Sequence, residues 1–383
     1  MHVRTPSAPA APASPGVFVE SLEGRQMLAA HIVGSPVNYA TIQAAVNAAR
    51  PGATIKVDAG VYQELVTVNK TLTIKGARAG VDARSSRRGP ASGESTLRGE
   101  DFGGGNRSTS FYVTASNVTI DGFTVKDDFS SNVYGAGIVL GPGISGTDIV
   151  NNIVRDNVAG LYLANASTAN PAVIRNNLFV TNNNPGNNNG RAIYSDGGVS
   201  GGRLAGVLID ANTFVNNFGD GTSGNPEAAI GLEAQTSVSQ SNIAITNNVM
   251  TGNGKGILVY NTTNLLIANN VFTASTDATS AAIRIEGGVS DTLILANTIR
   301  NNAGAAIRIT DRFGANSSIT VLLNGIFNNA GGGIIIDPEG YVGTLNARFN
   351  WWGSAAGPGA ANTGPVDATP WLFRPAGAIQ WPF

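Results

Sequence analysis

Short apolar segments, rather than long amphipathic ones, organise this chain. A five-residue pattern, apolar-x-x-Asn-x, recurs as Ile149–Ile153, Ile174–Leu178, Ile209–Thr213, Ile245–Val249, Ile267–Val271, Ile294–Thr298, Val321–Gly325 and Ala347–Trp351. The aligned asparagines are Asn152, Asn177, Asn212, Asn248, Asn270, Asn297, Asn324 and Asn350, spaced by 25, 35, 36, 22, 27, 27 and 26 residues. A second asparagine follows five positions later in most repeats, as Asn157, Asn182, Asn217, Asn253, Asn302 and Asn329, with Ser275 as the exception. A third register places a small residue before an apolar-x-apolar strand, as in Gly160-Leu161, Ala192-Ile193, Ala229-Ile230, Gly256-Ile257 and Ala306-Ile307. Period-two alternation turns the first and third residues of each such strand inward and the second and fourth outward.

A repeat of 22 to 27 residues holds about three short strands with turns, and the 35- and 36-residue repeats hold inserts as well. Stacked coils bring equivalent residues to about 4.8 Å. Asparagines at that spacing form side-chain hydrogen-bond ladders at the turns, where asparagine also tolerates left-handed backbone. The pattern predicts an all-β chain, a right-handed parallel β-helix built as a single-stranded solenoid of about ten coils over about residues 53–350. The segment Thr41–Ala49 has helical spacing and predicts a short N-terminal capping helix. Trp351, Trp352 and Trp371 predict a Trp-rich C-terminal cap. Such covers bury the open ends of a solenoid. Two regions follow: a disordered segment at 1–34 and one β-helix domain at 35–383.

Six stretches carry a family resemblance. Thr41-Ile-Gln-Ala-Ala-Val46, Gly60-Val-Tyr-Gln-Glu64 and Val68–Gly76 together resemble the opening of pectin-lyase-like β-helix proteins. Asn350-Trp-Trp-Gly353, Gly357-Pro358 and Pro370-Trp-Leu372 resemble their closing segment. The resemblance spans about residues 38–373 and implies a fold, not an activity. Pectin methylesterases share the Gly-x-Tyr-x-Glu opening, but their later catalytic Asp-rich segments are missing here. Polygalacturonases carry a Gly-His-Gly, whereas the two histidines of this chain, His2 and His31, both precede the repeats. The same scarcity argues against a copper-binding β-helix.

Composition narrows the classes further. Charged residues make up 13% of the chain, against roughly 25% in ordinary domains. The formal net charge is −1, so no basic field invites nucleic acid. With no cysteine, disulfides and zinc–thiolate sites are excluded. No apolar run reaches the roughly 18 residues of a membrane span. Residues 17–30 resemble a sorting motif near the start of exported bacterial proteins, with Gly24 in place of its proline. The expected location is extracytoplasmic, and the expected state a monomer.

Candidate chemistry lies on the outward positions of the apolar-x-apolar strands. The second positions include Tyr162, Tyr194, Leu258, Arg284 and Arg308; the fourth include Asp196, Glu233, Tyr260, Glu286 and Asp337. The inserts 182–190 and 218–227 precede the strands bearing Tyr194 and Glu233 and would wall a groove. Aromatic faces cover sugar faces, and charged groups bind hydroxyls or uronates, so the expected partner is a polysaccharide or cell-surface glycan. Asp196, Glu233 and Arg284 are the candidate catalytic residues of a pectate-lyase-like or glycosidase-like reaction. Tyr162, Tyr194, Tyr260, Glu286 and Arg308 are the candidate substrate contacts. Asp196 and Glu233, on adjacent coils, are also a candidate Ca2+ pair; no cofactor is otherwise required. The alternative is a non-catalytic surface or adhesion-type β-helix whose outward charges merely pair across coils. Arg78–Arg107 is expected to be a solvated insert.

Overall fold

The computed structural model describes Met1 and residues 29–100, 109–129, 135–219, 227–235 and 238–375. Ten coils stack into a parallel β-helix, each giving one strand to each of three sheets. The first coil runs through Thr54–Val57, Gly60–Gln63 and Val66–Val68, and the last through Ile319–Leu322, Gly325–Phe327 and Ile334–Ile336. Coil-to-coil pairing is parallel and in register throughout.

Identical residue types stack inside the coil. On the first sheet Ile55, Ile74, Ile120, Ile149, Ile174, Ile209, Ile245, Ile267 and Ile294 are register partners and fully buried. β-branched side chains suit this role because their restricted χ1 packs well on a pleated surface. On the second sheet Phe179 and Phe214 stack with ring centroids 5.1 Å apart. Ile257 occupies the corresponding inward line of the third sheet and is fully buried.

Both asparagine ladders form at the two turns flanking the second sheet. In the first, the Asn212 amide N–H donates to Asn248 Oδ1 at 2.8 Å, while Asn212 Nδ2 donates to Asn248 Oδ1 and to Ile174 O. Asn152, Asn177, Asn248, Asn270, Asn297 and Asn324 repeat this pattern. Left-handed backbone belongs to the residue before each ladder asparagine, which corrects the expected placement. Asn151, Asn176, Asn247 and Asn269 take it with φ of 56–58°, which accounts for the Asn-Asn dipeptides. Ala211, Ala296, Leu323 and Phe349 take the same conformation at φ of 53–57°. That costs about 1–2 kcal/mol per residue for a side chain with a Cβ, offset by the buried ladder bonds.

The ends are covered as expected. Helix Ile42–Ala48 buries Ile42, Ala45 and Val46 against the core, and its N-terminus is capped by Thr41 Oγ1 at 3.1 Å from Ala44 N. Glu64 reinforces that end by accepting from Ile42 N and Gln43 N. Trp352 closes the opposite end of the same core, with Trp371 packed beside it. Ala30–Ile32 is a strand antiparallel to Thr54–Val57, so ordered structure begins within the segment expected to be disordered to residue 34. Residues 2–28, including His2 and most of the sorting-like segment, lie outside the described residues.

One insert departs from expectation in part. Arg84, Arg87 and residues 89–92 of the Arg78–Arg107 stretch are exposed, as expected of a solvated insert, but Arg88 within it is 5% exposed and pins it to the coil. Its guanidinium pairs with Glu94 at 2.7 and 2.8 Å and donates to the carbonyls of Val81 and Phe123. At Gly122, with φ of +81°, an added Cβ would lie 2.1 Å from Ala79 N, so the insert reaches the coil only because that residue is glycine.

Candidate functional site

The outward line of the third sheet follows the expected register. Val139, Tyr162, Tyr194, Gly231, Leu258, Arg284, Arg308 and Ile335 are successive partners. Asp196, Glu233 and Tyr260 follow one another in the same way. These side chains leave the coil core, but most do not reach solvent. Tyr162 is 2% exposed, Tyr194 6%, Leu258 0% and Glu233 7%. Outward side chains here are largely covered: Val139, Tyr162 and Tyr194 pack with Ala136 and Ala159 in a second apolar cluster, joined by Tyr112 and Val199.

Over the N-terminal half of this face, the turn at 182–190 supplies part of the roof. Asn188 Nδ2 donates to Tyr162 Oη at 3.1 Å, and Tyr162 packs on Tyr194 at 5.8 Å. Asp196 Oδ1 accepts from Val199 N at 2.8 Å, capping the single turn Gly197–Ser200, and Asp196 Oδ2 accepts from Tyr194 Oη at 2.9 Å. Beneath lies Arg191, fully buried, whose Nε donates to Glu233 Oε1 at 2.9 Å and whose guanidinium sits 4.9 Å over the Tyr194 ring. Burial pushes the Glu233 carboxyl above the usual carboxylate range, with Arg191 opposing the shift. The Tyr194 phenol is likewise raised, by burial and by the neighbouring Glu233 and Asp196 charges. An ion pair withdrawn this far from water depends on mutual pairing.

Asp196 and Glu233 thus stand on adjacent coils but serve different partners. Glu233 Oε1 faces Arg191 and its Oε2 accepts from Tyr260 Oη at 3.4 Å, while both Asp196 oxygens are engaged. A Ca2+ ion between them would have to displace a buried guanidinium, so the pair does not fit that ion. Among the described residues no three His, Asp or Glu side chains gather in a way that could hold a metal.

The C-terminal half of the face is more open. Arg284 Nε donates to Glu286 Oε1 at 2.7 Å, and Arg312 Nη1 to Glu286 Oε2 at 3.0 Å. Arg308 pairs with Asp337 at 3.1 Å. Phe313 stacks on Tyr260 at 4.3 Å, and the Arg312 guanidinium lies 5.2 Å over the Phe313 ring. The Arg312 side chain is 58% exposed and that of Arg308 33%, while Glu286 beneath them is 2% exposed. Arg284 thus pairs with Glu286 rather than with Asp196 or Glu233, and Tyr260, the register partner of Glu233, links the two groups through its hydrogen bond to Glu233 and its stack on Phe313.

Sequence reasoning missed Arg191, Arg312 and Phe313. Arg191 stands directly before the small residue of its strand, one place ahead of the positions read, and the pair 312–313 lies in a turn outside the repeat. A further feature was also missed. Near the N-terminal end, Lys56 and Lys75 line a pocket of about 460 Å3 with Asp58, Asp121 and the first turn of the pinned insert. The corresponding Thr-Ile-Lys triplets at 54–56 and 73–75 were its signal in the sequence.

Residues 180–349 match the family model described as "Right handed beta helix region". No curated protein matches the chain. Solved structures that it resembles include the Dettilon tailspike protein, at 13% identity and a TM-score of 0.47, over 79% of this chain and 62% of that one. A complex of XylC with xylose aligns at 13% identity and 0.49, over 80% of this chain and 66% of that one. The A-module of the Azotobacter vinelandii mannuronan C-5 epimerase AlgE6 aligns at 15% and 0.43, over 86% and 94%. The chain thus spans just under two thirds of the tailspike and XylC chains. Ten in-register coils, two asparagine ladders and the family match together identify this chain as a right-handed parallel β-helix protein.

Proposed function

We propose that this protein is a non-catalytic β-helix that binds an acidic polysaccharide on the C-terminal half of its third sheet. The observation that carries the reading is how the charges of that face are distributed. Each carboxylate that could serve as acid or base is already held: Glu233 by Arg191, Glu286 by Arg284 and Arg312, and Asp196 by Tyr194 and a helix cap. The guanidinium groups of Arg308 and Arg312 remain partly exposed beside half-buried Phe313. Guanidinium groups recognise carboxylates through paired donors, and the aromatic edge offers contact for a sugar ring. Export, expected from residues 17–30, is part of the same proposal, because it would bring the protein to such polymers.

Affinity electrophoresis through gels containing polyuronates or neutral glucans tests this. Wild-type protein is expected to be retarded by the polyuronates, and Arg308→Ala combined with Arg312→Ala to lose most of that retardation. Unchanged retardation in the double variant would sink the proposed face. Consumption of a polysaccharide by wild-type protein, abolished by Glu233→Ala in a folded variant, would replace binding with catalysis.

A further inference from the structure

The two arginine–carboxylate groups on the C-terminal half of the third sheet are held at different depths. Glu286 is 2% exposed and shared by Arg284 and Arg312, so its carboxylate cannot be exchanged for a ligand's without opening the face. Asp337 is 25% exposed, at the surface beside Arg308. Arg308 stands on the ninth coil, and Asp337 lies two residues past its register partner Ile335 on the tenth. Arg308 Nε lies 3.2 and 3.3 Å from the two Asp337 oxygens, and Nη2 donates to Oδ2 at 3.1 Å. The Asp337 carboxylate has no other partner among the described residues. An ion pair of this exposure stabilises little, because water screens it and two side chains must be held in one arrangement.

The far edge of the same guanidinium is anchored independently. Arg308 Nη1 donates to Thr279 O at 3.2 Å. Asp277 ties down the turn that carries Thr279: its Oδ1 accepts from Thr279 N at 3.0 Å and from Thr279 Oγ1 at 2.7 Å, and its Oδ2 pairs with buried Lys255 at 2.6 Å. Arg308 therefore keeps its place without Asp337, and its Nε–Nη2 edge is already arranged to receive a planar carboxylate. We propose that Asp337 is an internal stand-in for the ligand: the carboxylate of a uronate residue displaces it and takes the Nε–Nη2 edge of Arg308, while Asp337 turns into water. The inference rests on the acidic-polysaccharide reading of this face and names the group that is recognised. One carboxylate replaces another, so Arg308 stays neutralised in both states. A neutral sugar offers no charge with which to displace Asp337 and is turned away.

Affinity electrophoresis through polygalacturonate, with NMR titration of the full chain by sodium glucuronate and by glucose, provides the test. Asp337→Asn keeps the shape of the side chain and removes its charge. It should strengthen glucuronate binding and polygalacturonate retardation by about threefold to fivefold, the worth of a partly exposed ion pair, and leave glucose without effect. Asp311→Asn removes the same charge from the neighbouring turn, where Asp311 pairs with no guanidinium among the described residues, and should give a much smaller rise. Matching thermal midpoints for wild type and both variants would show that the fold is intact. Retardation that appears only in Asp337→Asn would support the proposal in its strongest form. An equal rise in the two variants would reduce the effect to net charge and overturn it. So would an unchanged or weaker response in Asp337→Asn while wild type is retarded and the Arg308→Ala/Arg312→Ala variant is not; that result leaves the polysaccharide reading of the face standing. If neither wild type nor Asp337→Asn responds to glucuronate or polygalacturonate, both fall.

Discussion

Asp128 occupies an asparagine's place. Its amide N–H donates to Asn157 Oδ1 at 3.1 Å, which puts it at the head of the second ladder, one coil before Asn157. Its Oδ1 accepts from Gly99 N at 3.2 Å, as a ladder amide oxygen would, and its Oδ2 accepts from Ser110 Oγ at 3.2 Å. In the next coil Asn157 Nδ2 donates to Asn182 Oδ1 and to Val125 O. Val125 is the register partner of Leu97, so by analogy the second oxygen of Asp128 occupies a donor's position, toward Leu97 O and Asn157 Oδ1. The side chain is fully buried, and burial holds its carboxyl well above the ordinary 3.8, with the Asp127 charge adding to the shift. For a carboxyl raised on folding, the stability it contributes is complete below the unfolded value, where both states are protonated. That stability is lost as pH climbs toward the folded value, at about 1.4 kcal/mol per pH unit. Asp128→Asn removes the titration and supplies a donor at every pH. Near pH 4 the folded carboxyl is protonated and its own O–H can donate, so variant and wild type should agree to within about 1 kcal/mol. The gap should then widen by about 1.4 kcal/mol for each pH unit until the folded carboxyl ionises. Urea unfolding followed by circular dichroism at pH 4, 5, 6 and 7 measures it. A variant less stable than wild type at pH 7, or a gap that does not change with pH, would refute the reasoning.

Two further changes probe the packing. Leu258→Ala should destabilise by about 2–5 kcal/mol, as much as Ile257→Ala, because both side chains are fully buried on opposite faces of one strand; a thermal midpoint lowered only by Ile257→Ala would mean that the outer layer is open. Ser275→Asn should stabilise by about 1–2 kcal/mol, since Ser275 Oγ has no partner, the ladder is interrupted between Asn253 and Asn302, and a small void adjoins the three. A midpoint that stays level or falls would show that the turn cannot accommodate the larger side chain.

The chain by itself determined the architecture. Register in a β-helix repeats one local rule at each coil, so Ile149, Ile174 and Ile209, or Asn152, Asn177 and Asn212, declare their alignment without any knowledge of distant contacts. The inward or outward direction of Tyr194, Glu233 and Arg284 was legible for the same reason, since alternation along a strand has a fixed period. Their exposure was not. Whether an outward side chain meets water depends on inserts that obey no period, and on which charge each guanidinium finds once the coils are stacked. Only the tertiary structure paired Arg191 with Glu233, gave Arg284 to Glu286, pinned the insert through Arg88, and gathered Lys56, Lys75, Asp58 and Asp121 around one pocket. Local pattern fixes where a side chain starts and which way it points. Burial and pairing are properties of what arrives over it from elsewhere in the chain.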